Sequence, residues 1–540
     1  MRYFVKRINN LSFWIVFPAI VFIFFLIPVL AVLSSLIGDY SDNWSHLYNF
    51  VLLDYIKNSL FLVVGVSLIT LIVGTGTAWL VSNFNFFGKR FFEWALILPL
   101  SIPPYILAYT FTGLFDSYGT LNNLVRNIFE LDQSFIFFPN IRNIFGAIIV
   151  FSFTLYPYVY LVSRSAFLNQ SRTVLESGRI LGLSRFEISF KLSMPMIRPA
   201  IIGGLMLVIM ETLSDFGAVE HFAIPTFTTG IFRTWFGMGD LTTAMQLSSF
   251  LLLFICIFIF IENRSRKNAE YVSNSTTHAP IKIEQLSKNY SMFAFIFCFL
   301  PLLIGFILPV TELIVWAIYY NPSFFNNAFL TAAMNTITLA LIAAILCSII
   351  SILINFSIRI NRNSILKFLS SLLSLGYALP GLILAVGIVQ TSTYLDSSLL
   401  EKTSFAITGS LFGLVLAYII KSYALSNNTI SSGMEKISSG LDDSARILKS
   451  TGWNLLGRIH FPLLKTSFFT SILLVTSEVV KELPATLILR PFNYDTLAVS
   501  TYIYAAEERM RDAAAPSIAI ILVGLIPIII ITRMIRSSQK

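Results

Sequence analysis

Charged side chains are scarce in this chain, so the ones lying within or beside apolar stretches are the first candidates for chemistry. Glu211 and Asp215 are two of these, and Glu478, Lys481 and Glu482 form a second group about 267 residues further on. Read as helices, the two stretches make Glu211 with Asp215, and Glu478 with Glu482, i, i+4 pairs on one face, which like charges disfavour. Carboxylates at membrane depth are costly, which argues against lipid-facing filler. Two readings are open: the carboxylates handle a cation in transit, or they form a salt-bridge cluster with Lys481. Other chemistry lacks its residues. Gly88-Lys89 is followed by Arg90 and does not make a phosphate loop, and neither an H-E-x-x-H nor a nucleophile elbow is present. His46, His221, His278 and His460 are scattered without ligand spacing, and Glu220-His221 reads as an interfacial pair at an external helix end. Cys256, Cys298 and Cys347 lie inside apolar runs and read as buried packing. No catalytic residue and no metal site is assigned, and the chain is expected to bind no cofactor of its own.

The elements that must position these residues follow from composition. The chain has 540 residues, 56% hydrophobic and 12% charged, against roughly 25% charged in soluble domains. A polytopic, all-α membrane protein is the expected class. The net charge of +9 is spread over short loops rather than gathered in a patch, so it reads as membrane-anchoring charge and not as a nucleic-acid surface. Apolar runs of membrane-crossing length predict spans near 12–35, 59–83, 93–115, 144–163, 200–220, 243–261, 292–318, 330–355, 365–390, 406–421, 466–486 and 513–532. The first is read as an uncleaved helix because its apolar core is too long for a signal peptide. With the amino terminus inside, the inner segments carry 28 Lys+Arg and the outer ones 8, which predicts both termini on the cytoplasmic side of a bacterial inner membrane. Glu211 then lies about 18 Å beyond Pro199 along a helix, just past the middle of a core about 30 Å thick.

The sequence also repeats. Asn58-Ser-Leu-Phe-Leu matches Asn335-Thr-Ile-Thr-Leu, and Pro103-Pro-Tyr-Ile-Leu-Ala matches Pro380-Gly-Leu-Ile-Leu-Ala, both offset by 277. The offset falls to 267 by Glu176 because the external loop 116–143 is longer than its counterpart. Two six-helix halves in parallel are implied, most simply enclosing a pathway at their pseudo-twofold interface. The expected organisation is a first helix and loop over 1–57, a first repeat over 58–262 and a polar linker over 263–290. A seventh helix and loop (291–329) and a second repeat (330–532) follow. Prolines at 28, 103, 104, 157, 309, 380 and 527 predict kinks, and the Pro103/Pro380 pair is a candidate for a pathway role or for ordinary packing.

Between the fourth and fifth spans of each half lies a polar, basic segment, Glu176–Pro199 and its twin from Asp443. Ile180, Leu183, Phe186 and Ile188 interrupt the charges of the first, which suits insertion into a groove on a partner. The segment resembles the EAA loop of type I ABC importer permeases: E-A-A, three residues, Gly, nine residues, I-x-L-P. Glu176, Ser177, Gly178, Gly182, Leu192, Met194 and Pro195 hold those places, and Asp443, Ser444, Ala445, Lys449, Ile459, Phe461 and Pro462 hold them in the second copy. The second copy departs from the pattern in having Lys449 where the family has glycine. Two further pairs of stretches resemble the fused permeases of ferric iron importers. They are Glu211–Glu220 with Pro225–Trp235, and Lys481–Pro491 with Asp495–Val499. Thiamine, polyamine and anion permeases share the architecture.

The resemblance implies an alternating-access importer with two fused permease domains. A soluble binding protein would deliver substrate outside, and two copies of a separate ATPase, which hold the ATP, would grip the inside. It assigns coupling to Glu176, Gly182, Pro195, Asp443, Arg446 and Pro462, and makes Glu211, Asp215, Glu478 and Glu482 candidates for the pathway. Carboxylate oxygens suit a hard cation such as ferric iron, and they suit a polyamine as well. A carrier driven by an ion gradient is the competing class, although it has no use for a repeated docking element.

Overall fold

The computed structural model describes residues 13–170, 178, 180–184, 187–267, 284–319, 326–398 and 406–538. The main helices in chain order are α1 (Phe13–Ser34), α2 (Leu52–Asn83), α3 (Pro104–Phe115), α4 (Ile144–Leu168), α5 (Met194–Ser214), α6 (Gly217–His221) and α7 (Lys288–Tyr319). The second set is α8 (Asn327–Asn361), α9 (Gly381–Ser398), α10 (Leu411–Glu435), α11 (Ser439–Ile447), α12 (Phe461–Lys481), α13 (Pro484–Leu489) and α14 (Ala514–Ser538). Among the described residues, 8 helices are long and apolar enough to cross a membrane, and two bent pairs raise this to 10. The expected spans at 406–421 and 513–532 correspond to α10 and α14. The one strand pairing found among these residues is two residues long and parallel, Phe84–Asn85 with Glu284–Gln285. It places the end of the expected linker beside α2; residues 268–283 of that linker lie outside the described residues.

The expected spans 93–115 and 365–390 are each broken. Lys89–Ser101 meets Pro104–Phe129 at 92°, and Ser364–Ala378 meets Gly381–Ser398 at 110°. The cause is local: Ile102 and Leu379 precede Pro103 and Pro380 and adopt extended backbone, as a residue before proline must when its α conformation clashes with the ring.

The chain divides into two compact units, 1–41 with 234–249 and 325–500, and 42–233 with 250–324 and 501–540. The second contains a three-helix bundle of α2, α4 and α5, and α7 packs beside α14. Its close approaches depend on glycine: a Cβ at Gly74 would stand 2.7 Å from Cβ of Val159, and one at Gly204 3.0 Å from Cα of the same valine. Small residues at such contacts let membrane helices gain packing energy where no hydrophobic driving force operates. The first unit builds the equivalent bundle from α8, α10 and α12. There serine replaces glycine as the joint: Ser471 Oγ lies 2.8 Å from Ser348 Oγ and donates to Ser426 Oγ at 2.8 Å. Helix α1 belongs to this unit and packs on α8 and α9, with Trp14 buried against Phe356.

Candidate functional site

Each unit carries two sets of candidate residues, a polar turn at one end of the α5 or α12 helix and a charged cluster at the other. In the first turn, Leu183 N donates to Gly178 O at 3.1 Å; in the second, Ser450 N donates to Ala445 O at 2.9 Å. These bonds are equivalent at an offset of 267 and have the form of the 6→1 bond of a Schellman motif, which ends a helix on a left-handed residue. The left-handed residue is Gly182 (φ 75°) in one and Lys449 (φ 58°) in the other. Lys449 therefore reproduces the glycine's geometry, at a cost of roughly 1–2 kcal/mol for the crowded Cβ. The turns present an apolar pair to solvent: Ile180 and Leu181 are 85% and 78% exposed, and Ile447 and Leu448 are 82% and 81% exposed. This corrects the expected inserting face in part: Ile180 is exposed as expected, but Ile188 is buried and Leu183 half-buried. Glu176 and Phe186 lie outside the described residues, as does the side chain of Arg446; Asp443 is exposed.

Beyond the first turn, Ser184 and Glu187 form a capping box. Glu187 N donates to Ser184 Oγ at 3.3 Å, and Ser184 N donates to Glu187 Oε2 at 3.0 Å. The hydrogen bond from Lys191, with those from Ser184, holds the Glu187 carboxyl down at about 2. Both halves then run through one π-helical turn, Ile188–Ser193 and Leu456–His460, before Pro195 and Pro462 enter the first turn of α5 and α12. A proline there lacks an N–H and crowds the carbonyl four residues back; the wider π turn relieves that crowding.

At the other end, both long helices stop just before the second acidic residue. Helix α5 ends at Ser214 and α12 at Lys481, with Asp215 and Glu482 already extended (ψ 140° and 118°). The expected i, i+4 pairs therefore do not share a helix face. The acids instead satisfy the backbone of the next short helix. Asp215 Oδ1 accepts from Ala218 N at 2.9 Å, and Glu482 Oε2 accepts from Ala485 N at 3.1 Å. An aspartate competing for backbone N–H groups and Pro484, which offers none, account for the breaks.

Glu482 is buried and also takes a hydrogen bond from Lys421 Nζ at 3.1 Å. A Cβ on Gly381 would fall 2.4 Å from its Oε1, so glycine there admits the carboxylate. Glu478 pairs with Lys481 at 3.4 Å. In the first half, Thr154 and Ser214 stand where the second has Lys421 and Lys481, so the halves differ in local charge. Glu211 is half-buried in the last turn of α5. The loops beyond are held alike: Asn58 Nδ2 donates to Pro225 O and Asn335 Nδ2 to Asp495 O, both at 3.0 Å. Glu220 pairs with Arg233 at 3.1 Å, and His221 Nε2 lies 2.9 Å from Thr112 Oγ1. Among the described residues, no three His, Cys, Asp or Glu side chains come together as a metal site.

Sequence reasoning missed Lys421, which it counted with the loop charge, and Gly381. The signal available for Lys421 was its place at the end of an apolar run, level with the acidic cluster.

Residues 68–268 and 356–540 each match the model of the binding-protein-dependent transport system inner membrane component. An Fe(3+)-transport system permease protein of Haemophilus influenzae is 24% identical over 89% of this chain and 90% of its own length. A ferric transport system permease protein of Actinobacillus pleuropneumoniae is 22% identical over 90% of this chain and 72% of its own. A putative molybdenum transport system permease protein of Bacillus subtilis is 26% identical over 29% of this chain and 66% of its own.

Proposed function

The chain belongs to the family of binding-protein-dependent transport system inner membrane components, with two permease domains of an ABC importer fused in one polypeptide, and we propose that its cargo is ferric iron. The observation that carries the transport reading is the duplicated turn with its exposed Ile-Leu pair, 180–181 and 447–448. A protein that needs one apolar knob on each half, at matched positions, has a partner with two matching sockets. In this reading both termini and both turns face the cytoplasm, where two copies of an ATPase subunit bind ATP and grip the turns. A soluble binding protein delivers the cargo outside, and closure of the ATPase pair rocks the halves between outward and inward access.

The iron reading is supported by the ferric permeases, which match across both halves, whereas the molybdenum permease matches across 29% of the chain. It is supported also by carboxylates at the end of α5 and α12, whose hard oxygens suit a hard cation. Glu211 and Glu478 are assigned to cation handling, with Asp215 and Glu482 shaping the break beyond them. An oxyanion cargo is the second reading, favoured by the molybdenum relative and by Lys421 and Lys481 in the cluster. The test is purification of the complex with its ATPase and binding protein, followed by metal analysis of the latter. Iron is expected; molybdenum in its place would overturn the cargo, and absence of any ATPase would overturn the mechanism.

A further inference from the structure

The second turn-bearing element is fastened by a charge network whose three residues are not repeated at the matching positions of the first half. Arg359, in the last turn of α8, donates through Nε to Asp442 Oδ2 at 2.7 Å. Its Nη1 donates to Met434 O at 2.7 Å and its Nη2 to Ile437 O at 2.8 Å, which satisfies carbonyls at the end of α10. Asp442 stands in the first turn of α11, where a carboxylate is also favoured by the helix dipole. Its second oxygen, Oδ1, lies 2.9 Å from Nε2 of His460, a fully buried residue that ends the π turn and leads directly into α12. The His460 ring packs edge-on to Phe356 at 5.2 Å, and Phe356 in turn to Trp14. One carboxylate therefore joins the ends of α8 and α10, through Arg359, to the start of α12.

At the matching positions the first half has Ser82, Leu175 and Ser193. Among the described residues of the first half, Gln170 Nε2 donates to Ser193 O at 2.9 Å and Trp79 Nε1 to Ser189 Oγ at 3.0 Å. Apolar packing alone lets helices slide at small cost. A carboxylate shared between a guanidinium and an imidazole fixes direction as well as distance.

We propose that Asp442 is the positioning residue that makes α11 and α12 move as one body, so that a push on Ile447 and Leu448 reaches Glu478. From His460 to Glu478 the helix spans about 27 Å at 1.5 Å per residue. This inference rests on the reading of 443–462 as a coupling element.

The test uses the complete complex in proteoliposomes, with binding protein loaded with radioactive Fe(III), and reads iron taken up per ATP hydrolysed. Asp442→Ala and His460→Leu are expected to keep the ATPase bound and its basal hydrolysis within about twofold, while uptake per ATP falls about tenfold. His460→Gln, whose amide N–H can replace the imidazole donor toward Asp442, is expected to recover most of that loss. An unchanged ratio in the first two variants, or an equal loss in His460→Gln and His460→Leu, overturns the proposal. If Asp442→Ala does not accumulate in the membrane, His460→Leu decides, because it leaves the Asp442–Arg359 pair in place. A parallel Ile447→Asp/Leu448→Asp variant separates the two claims. Retained ATPase and full uptake in that variant would remove the coupling reading itself, whereas a lost ATPase with unchanged Asp442 variants removes only the positioning role.

Discussion

Lys449 and Lys421 are the residues at which composition misleads most. The first occupies a left-handed position that the other half gives to Gly182, so its φ is strained although its hydrogen bonds are not. Lys449→Gly should stabilise the turn by about 1 kcal/mol. Slower amide exchange at Ser450, whose N–H closes the turn, would register the gain; unchanged exchange would deny the strain. Lys421 is counted as loop charge from its sequence, yet its half-buried side chain pairs with the buried Glu482. Lys421→Met leaves the Glu482 carboxylate with only its donors from Ala485 and Thr486, and removing the charged partner of a buried carboxylate costs up to about 3–5 kcal/mol. The purified variant should lose heat resistance, and Glu482→Gln in the same chain should restore much of it. The pairing of Glu478 with Lys481, three residues on, was legible as the salt-bridge reading, whereas that of Glu482 with Lys421 was not, because those two are 61 residues apart and meet only through helix packing.

At the scale of elements, hydropathy located the helices but not where they turn. A window over 93–115 or 365–390 averages across the breaks at Pro103 and Pro380, although the prolines that cause them stand in plain view. The ends of α5 and α12 were hidden for a related reason. Asp215 and Glu482 look like members of a helical face, and only the backbone reveals that they cap the next element. The repeated turns were legible in position and spacing, and Ile180 as an outward-facing residue, whereas Leu181 was not, since it looks like any buried leucine. Replacing Ile180 and Leu181 with Asp should weaken retention of the ATPase, the same change at Ile447 and Leu448 should do likewise, and both together should abolish it. Retention by all three variants in a pull-down would contradict the docking role. This element should not be acid-sensitive through Glu187. A carboxyl depressed to about 2 stabilises above its unfolded value near 4.3, and the contribution is lost only as pH falls toward 2. ATPase retention measured between pH 5 and 8 should therefore not change on its account.

For the molecule as a whole, the duplication was the most legible property, because two offsets carried motifs from one half onto the other. The division into compact units was less so. The unit that contains α8, α10 and α12 also takes in α1 from the other end of the chain, and the unit of α2, α4 and α5 takes in α7 and α14. Sequence order cannot show such exchanges, since apolar helices carry little sign of which neighbour they pack on. One consequence is testable: fragments 1–270 and 271–540 expressed separately should fail to accumulate, and co-expression should recover both on an immunoblot. The most direct test of the central claim is uptake of Fe(III) by proteoliposomes holding the chain, its ATPase and its loaded binding protein. Uptake is predicted to require ATP and the binding protein, and to be lost when both Ile-Leu pairs are replaced by Asp; uptake driven by an ion gradient without ATP would contradict the account.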